Sequence, residues 1–118
     1  MDVSPRVSEL NDAVDALAAL AQVHRLAVFR QLVQAGSDGL AAGVLAERMA
    51  VPRSSLSFHL SNLKHVGLVH ERRQGRSIVY SANFQAMRRL IAYLLMNCCA
   101  GEGAETALAQ ELFNGEHQ

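Results

Sequence analysis

The chain has 118 residues, half of them hydrophobic, with few aromatics and no Trp. That excludes global disorder and calls for one domain, residues 1–118, with a core built from Leu, Val and Ala, a composition suited to packed helices. Net charge is zero overall, but the charge is not evenly spread. Residues 1–52 carry four basic and six acidic side chains, and residues 77–118 carry Arg88 and Arg89 against four Glu. Between them, Arg53, Lys64, Arg72, Arg73 and Arg76 face Glu71 alone. One short basic window between acidic arms is the pattern of a local phosphate-binding surface, which a mean isoelectric point hides.

No apolar run reaches the roughly 18–20 residues of a membrane span, and the start, with Asp2 and Pro5, lacks the basic and apolar pattern of a secretion signal. The expectation is a cytoplasmic protein with no membrane partner, in a compartment where thiols stay reduced. Its two cysteines, Cys98 and Cys99, are adjacent and cannot staple distant parts of one chain.

In chain order, residues 1–6 read as a flexible tail. Ser8 to about Leu20 shows helical spacing at Leu10, Val14, Leu17 and Ala21, with Ser8 as a candidate cap. A second helix starts near His24, carries Leu26, Phe29 and Val33 on one stripe and stops at Gly36, before a turn at Ser37-Asp38-Gly39. Leu40 to Met49 reads as a short third helix with Val44, Leu45 and Met49 inward, broken by Val51-Pro52. A fourth runs from about Arg53 to His65, with Leu56, Leu60 and Leu63 at spacings of four and three, and ends at Gly67. The period then changes. Leu68 to Arg73 and Ser77 to Ser81 are β-type runs around the tight turn Gln74-Gly75-Arg76, a hairpin with a basic tip. Phe84 to Cys99 is a long apolar helix broken near Gly101-Glu102-Gly103, and Ala104 to Phe113 a weaker one. The fold class is mainly α with a small β-hairpin: a winged helix-turn-helix.

If Leu56, Leu60 and Leu63 point in, then Ser54, Ser57, Phe58 and Ser61 point out, with Arg53 at the start. Small hydroxyl side chains let a helix enter the major groove and bond to base edges or phosphates. Arg53 suits a guanine or a phosphate, and an outward Phe58 suits a thymine methyl. The bland alternative is an ordinary solvated face with one exposed Phe. The hairpin weighs against it, because Arg72, Arg73 and Arg76 cluster where a wing meets phosphates or the minor groove. With Ser55, His59 and Lys64 on the same helix, these residues form the candidate DNA-binding set, and operator DNA is the expected partner.

The run Arg53-Ser54-Ser55-Leu56-Ser57-Phe58-His59-Leu60-Ser61-Asn62-Leu63-Lys64-His65-Val66-Gly67-Leu68-Val69 resembles the recognition helix and following strand of ArsR/SmtB-type repressors. Ser57, His59, Leu60, Leu63, Gly67, Leu68 and Val69 match that family's pattern. Arg73-Gln74-Gly75-Arg76 with Tyr80 resembles its wing, and Ala18-Leu20-Ala21 with His24-Arg25-Leu26 its second-helix entry. The likeness covers about residues 16–100. It implies a homodimer that represses transcription until a metal or metalloid ion binds.

A homodimer also follows from the residues. The last long helix carries Met87, Ile91, Leu94 and Cys98 on one stripe with Leu90, Leu95 and Cys99 beside it. So wide an apolar surface needs partners on two sides, and the first helix is similarly apolar. Residues 7–22 and 84–113 are the expected dimerisation helices, and a two-fold axis sets two reading helices about one DNA turn apart. The alternative is a monomer whose termini fold back over the last helix.

Cys98 and Cys99 are the candidate metal site, because thiolates select soft ions. Adjacent helical side chains diverge by about 100°, so both sulfurs meet one ion only if the helix end unwinds, which the following glycines permit. The alternative is that both are small packing residues at the dimer seam. Asn97-Cys98-Cys99 resembles the cysteine pair of some arsenic-responsive family members. Two departures matter: Glu47 to Pro52 lacks the family's third-helix cysteine motif, and Gly101 to Ala107 lacks a third cysteine. Inorganic trivalent arsenic prefers three thiolates and a monomethylated arsenical needs two, so a trivalent arsenical, inorganic or organic, is the expected effector, and a partner-chain Cys is a further way to complete the site. The family's zinc site needs a paired Asp-x-His and a distal His, and His117 stands alone; His24, His65 and His70 are scattered. No arrangement of catalytic residues or phosphate loop is present, so an enzyme is not expected. Two rivals stay open: a thiol redox sensor, and a winged-helix module for protein contact.

Overall fold

In the computed structural model, which describes residues 3–101 and 111, helix α1 (Val3–Leu20) and helix α2 (Val23–Ala35) precede strand β1 (Leu40–Ala41) and helix α3 (Ala42–Met49). Helix α4 (Arg53–His65), strands β2 (Val69–Gln74) and β3 (Ser77–Ala82) and helix α5 (Phe84–Leu95) follow. The order is that of a winged helix-turn-helix, but the hairpin belongs to a three-stranded sheet of order β1-β3-β2. Leu40 pairs with Tyr80 and Ala41 with Val79. Leu40 therefore starts a strand and not the third helix, because two residues are too few for any alternation to show. Gly39 makes this approach possible: its φ is +72°, and a Cβ there would collide with the Tyr80 carbonyl oxygen.

Other boundaries also move. Helix α1 starts at Val3, so residues 3–6 are helical and Ser8 lies inside the helix instead of capping it. Pro5 is tolerated there because first-turn N–H groups have no helical partner. Val44, expected inward, is exposed, and so is Leu26.

The corners are closed by specific bonds. Gln22 caps α2 by accepting from the Arg25 backbone N–H at 2.9 Å, and Arg25 Nε donates to the Ala19 carbonyl at 2.7 Å, fastening α1 to α2. Helix α2 stops at Gly36 as its sequence implies, with φ +76°. Val51-Pro52 separates α3 from α4, and Leu56 N–H donates back to the Pro52 carbonyl. Helix α4 ends in a Schellman turn: Gly67 has φ +82°, its N–H reaches the Lys64 carbonyl, and Leu68 N–H reaches the Leu63 carbonyl, both at 2.9 Å.

Leu63 and Leu68, the apolar pair that such a turn brings together, are both buried. They join Val28, Phe29 and Leu32 of α2, Leu45 of α3, Leu56 and Leu60 of α4, Val69 and Ala82 in one core. Helix α1 turns Ala13, Ala16 and Ala19 inward, where small side chains let it lie close, and leaves Leu10, Val14 and Leu17 exposed. Helix α5 buries no residue fully; Phe84, Met87 and Leu90 pack against the core, while Leu94 is exposed. The helix expected at 104–113 lies outside the described residues, as does His117.

Asn83 ties α5 to the start of the hairpin. Its Oδ1 accepts from Ala86 N–H at 3.1 Å and its Nδ2 donates to the Gly67 carbonyl at 2.9 Å. Its own N–H donates to the Leu68 carbonyl at 2.8 Å. Asn83→Ala is expected to lower the unfolding free energy by about 1–2 kcal/mol. Asn83→Asp keeps the cap but not the Gly67 bond and should fall between, measured by urea unfolding at fixed chain concentration.

Candidate nucleic-acid interface

Helix α4 is held by Leu56, Leu60 and Leu63, which are buried, and this fixes which side chains face out. Arg53, Ser54, Ser55, Ser57, Phe58, Ser61 and Lys64 are all exposed. Phe58 is 63% exposed, a large apolar ring on a face otherwise made of hydroxyls and cations. Asn62 donates to the Phe58 carbonyl at 2.9 Å, taking that acceptor inside the helix's own surface. Arg53 lies back over α3: a Cβ on Gly43 would stand 2.7 Å from its Nη2.

The hairpin meets α4 on the same side. Lys64 Nζ lies 3.3 Å from Glu71 Oε1, joining the last turn of α4 to β2. Glu71 pairs across the sheet with Tyr80, and Arg73 with Ile78 on that same face, while Arg72 pairs with Val79 on the other. The Tyr80 hydroxyl donates to Glu71; burial, then the Glu71 charge and that bond, push its pKa up. Arg72 turns back, its Nη2 donating to the Asp38 carbonyl at 3.0 Å. The strands close through Gly75, φ +64°, and Arg76, between Gln74 and Ser77. Among the described residues, Arg73 and Arg76 make no hydrogen bond or ion pair. Lys64 and Arg72, predicted to meet DNA, are thus engaged within the chain, whereas Arg73 and Arg76 extend from the wing.

His59 sits differently from the serines around it. It is half-buried, stacked on His24 with ring centroids 5.6 Å apart and planes at 13°, and edge-on to Phe58 at 5.8 Å. Its Nδ1 is buried without a hydrogen-bond partner. This histidine joins α4 to α2, so its first role is packing, the structural half of what the sequence left open. A cleft of about 460 Å³ beside α4 is lined by Asp12, Asp15, Arg25 and His65 among others; its carboxylates make it unfit for phosphate.

The cysteine pair does not end the long helix. Helix α5 stops at Leu95, Met96 is extended, and Cys98–Gly101 forms a separate 3-10 turn. Asn97, Cys99 and Ala100 have positive φ, which breaks the helical run and turns both side chains to one side. The Cys98 and Cys99 sulfurs are bonded to each other. The pair expected as reduced thiols is therefore seen as a vicinal disulfide, and the unwinding needed to bring both sulfurs together is already built into the backbone.

The sequence gave no sign of Asn83, of the His24–His59 stack or of the Lys64–Glu71 contact, because each joins residues far apart in the chain or separates a cap from its distant second bond. The lone acid in the basic window was the available signal for Glu71.

Burial, then Arg25 and His24, hold the His59 pKa below its ordinary 6.5. The unfolded chain therefore takes up this proton first, so the histidine's contribution is complete at neutral pH and is lost as pH falls through 6.5. Against His59→Gln, the wild-type unfolding free energy should hold a constant offset above about pH 7 and drop relative to the variant in acid; parallel curves would contradict this.

The helix-turn-helix domain family matches residues 20–72. The chain is 35% identical over 78 residues to the nodulation protein NolR of Rhizobium meliloti, covering 66% of this chain and 62% of that protein. It thus spans less than two thirds of that relative's length. Among solved structures it is similar to an ArsR-like transcriptional regulator from Rhodococcus sp. RHA1, with TM-score 0.66 and 26% identity over 87% of this chain and 93% of the other. It is also similar to a possible transcriptional regulator for arsenical resistance, with TM-score 0.59 and 30% identity over 68% of this chain and 80% of the other. These relatives are regulators and not enzymes, and no helix among the described residues is long and apolar enough to cross a membrane. The serine-faced helix, the arginine wing and these likenesses agree: the chain belongs to the ArsR/SmtB family of winged helix-turn-helix transcriptional regulators.

Proposed function

We propose that two copies of this chain form a cytoplasmic repressor that holds operator DNA with α4 and the β2–β3 wing of each copy. It lets go when a trivalent arsenical, inorganic or methylated, is taken by Cys98 and Cys99. The observation that carries the DNA reading is the meeting of an exposed serine face with a wing whose Arg73 and Arg76 are uncommitted within the described residues. Cations that the fold does not use are available to phosphates, and small hydroxyls admit the helix to the groove.

The dimer reading rests on unpartnered apolar surface. Leu10, Val14 and Leu17 on α1 are 49%, 53% and 42% exposed, and α1 packs beside α5, which exposes Leu94. A stripe this regular is costly to leave in water. A second copy, meeting residues 7–22 and 84–113, covers it and sets the two α4 helices about 34 Å apart.

The effector reading rests on the cysteine turn. The chain has two cysteines, and no group of three or more His, Cys, Asp or Glu among the described residues is placed to hold a metal ion. Two soft sulfurs on one side of a turn suit an arsenical with two exchangeable positions, each thiol losing its proton as an As–S bond forms. The similarity to a possible regulator for arsenical resistance supports this choice. A second reading is favoured by the bond between the two sulfurs: an oxidant takes two electrons from the dithiol, two protons leave, and the disulfide itself is the signal.

Two outcomes are expected. In fluorescence anisotropy with operator DNA, Arg73→Ala with Arg76→Ala should make the plot of log affinity against log salt shallower by about 1.8, roughly 0.9 per lost phosphate contact. An unaltered slope would remove the wing from the interface. Cys98→Ser with Cys99→Ser should bind operator as the wild type does and ignore methylarsonous acid. Release of the reduced wild type by hydrogen peroxide alone, with none by the arsenical, would select the redox reading.

A further inference from the structure

Within the basic window the acidic residue Glu71 stands where the wing meets α4. Its carboxylate is shared by two elements: Lys64 Nζ approaches from the end of α4 at 3.3 Å, and the Tyr80 hydroxyl donates to it from β3. Lys64 is 54% exposed and Glu71 35%, so both remain open to solvent and to an incoming polyanion. On the opposite face of β2, the next residue, Arg72, is drawn to the Asp38 carbonyl before β1. The hairpin is thus held at its root from both faces, and Arg73 and Arg76 are carried beyond the held part.

We infer that Glu71 is a positioning residue for DNA recognition: it keeps Lys64 off the phosphates and fixes the angle between the α4 reading face and the wing. This rests on the DNA-binding reading above. An exposed ion pair contributes little to folding, at most about 1 kcal/mol, so the role of this one is read in DNA binding and not in stability. An anion at this place repels every DNA equally. It therefore lowers non-specific affinity, while the wing angle it sets favours the one duplex that fits both elements.

The test uses the full chain, a duplex that the wild type selects from a random pool, and a mixed-sequence duplex of equal length. Glu71→Gln frees Lys64 and removes the repulsion. The salt slope on the mixed duplex should steepen by about 0.9, and affinity there should rise by up to about eightfold at about 0.1 M salt. The ratio of selected to mixed-duplex affinity should fall. Lys64→Met combined with Glu71→Gln should return the slope to the wild-type value, because Lys64 makes no phosphate contact in the wild type. Unfolding midpoints of both variants should stay at that of the wild type. A Glu71→Gln slope equal to wild type overturns the inference, and so does a double-variant slope shallower than wild type, since Lys64 would then already be a phosphate contact. A wild type with no salt-dependent binding defeats the DNA reading itself, a distinguishable result.

Discussion

The inward face of α4 constrains everything on the DNA-facing side of this chain. Leu56, Leu60 and Leu63 are almost wholly removed from water, and three such burials stabilise the helix's seat by several kcal/mol, at about 1.5–3 kcal/mol each. With that face fixed, helical geometry leaves no freedom in what the other face presents: serines, Phe58 and Arg53 must look outward. The Schellman turn then hands the chain from α4 to β2 with Leu68 packed on Leu63, so the wing's root inherits its place from the same core. A reading helix and a wing are positioned by one set of leucines, with Glu71 and Asn83 trimming the joints.

The half of the molecule that faces away from this surface is organised around what one chain lacks. Alanines, not leucines, face inward on α1. A helix that spends its small residues on its own core and its large ones on solvent is built for a second surface. The cysteine turn directly follows the other helix of that surface, so any change in the bonding of two sulfurs acts at the edge of the proposed seam. That placement gives the effector a short path to dimer geometry, and a coupling of about 1–3 kcal/mol is enough for a useful switch.

Much of this was legible in the sequence, for physical reasons that can be named. The bounds of α4 coincide with the reading because Pro52 and Gly67 punctuate it and leucine spacing marks its buried face. The hairpin was legible because a period of two replaced a period of four around a glycine. Strand β1 was not, since two residues carry no period and its partner lies far along the chain. The cysteine pair was placed one element too early: apolar residues continue through Met96, but the backbone leaves the helix at Leu95, and nothing in residue type alone marks Asn97, Cys99 and Ala100 for the left-handed region. Lys64 and Arg72 had the right charge for DNA, but charge does not say whether a cation is already bound, and here each meets a partner within the chain.

The most direct measurement of the central claim is an amide NMR titration of the full chain with operator duplex. If α4 and the wing form one surface, Ser54, Ser57 and Ser61 and the wing's Arg73 and Arg76 shift together along a single isotherm, saturating at two chains per duplex. Shifts in α4 with the wing unmoved, or saturation at one chain per duplex, would contradict a two-element surface presented twice.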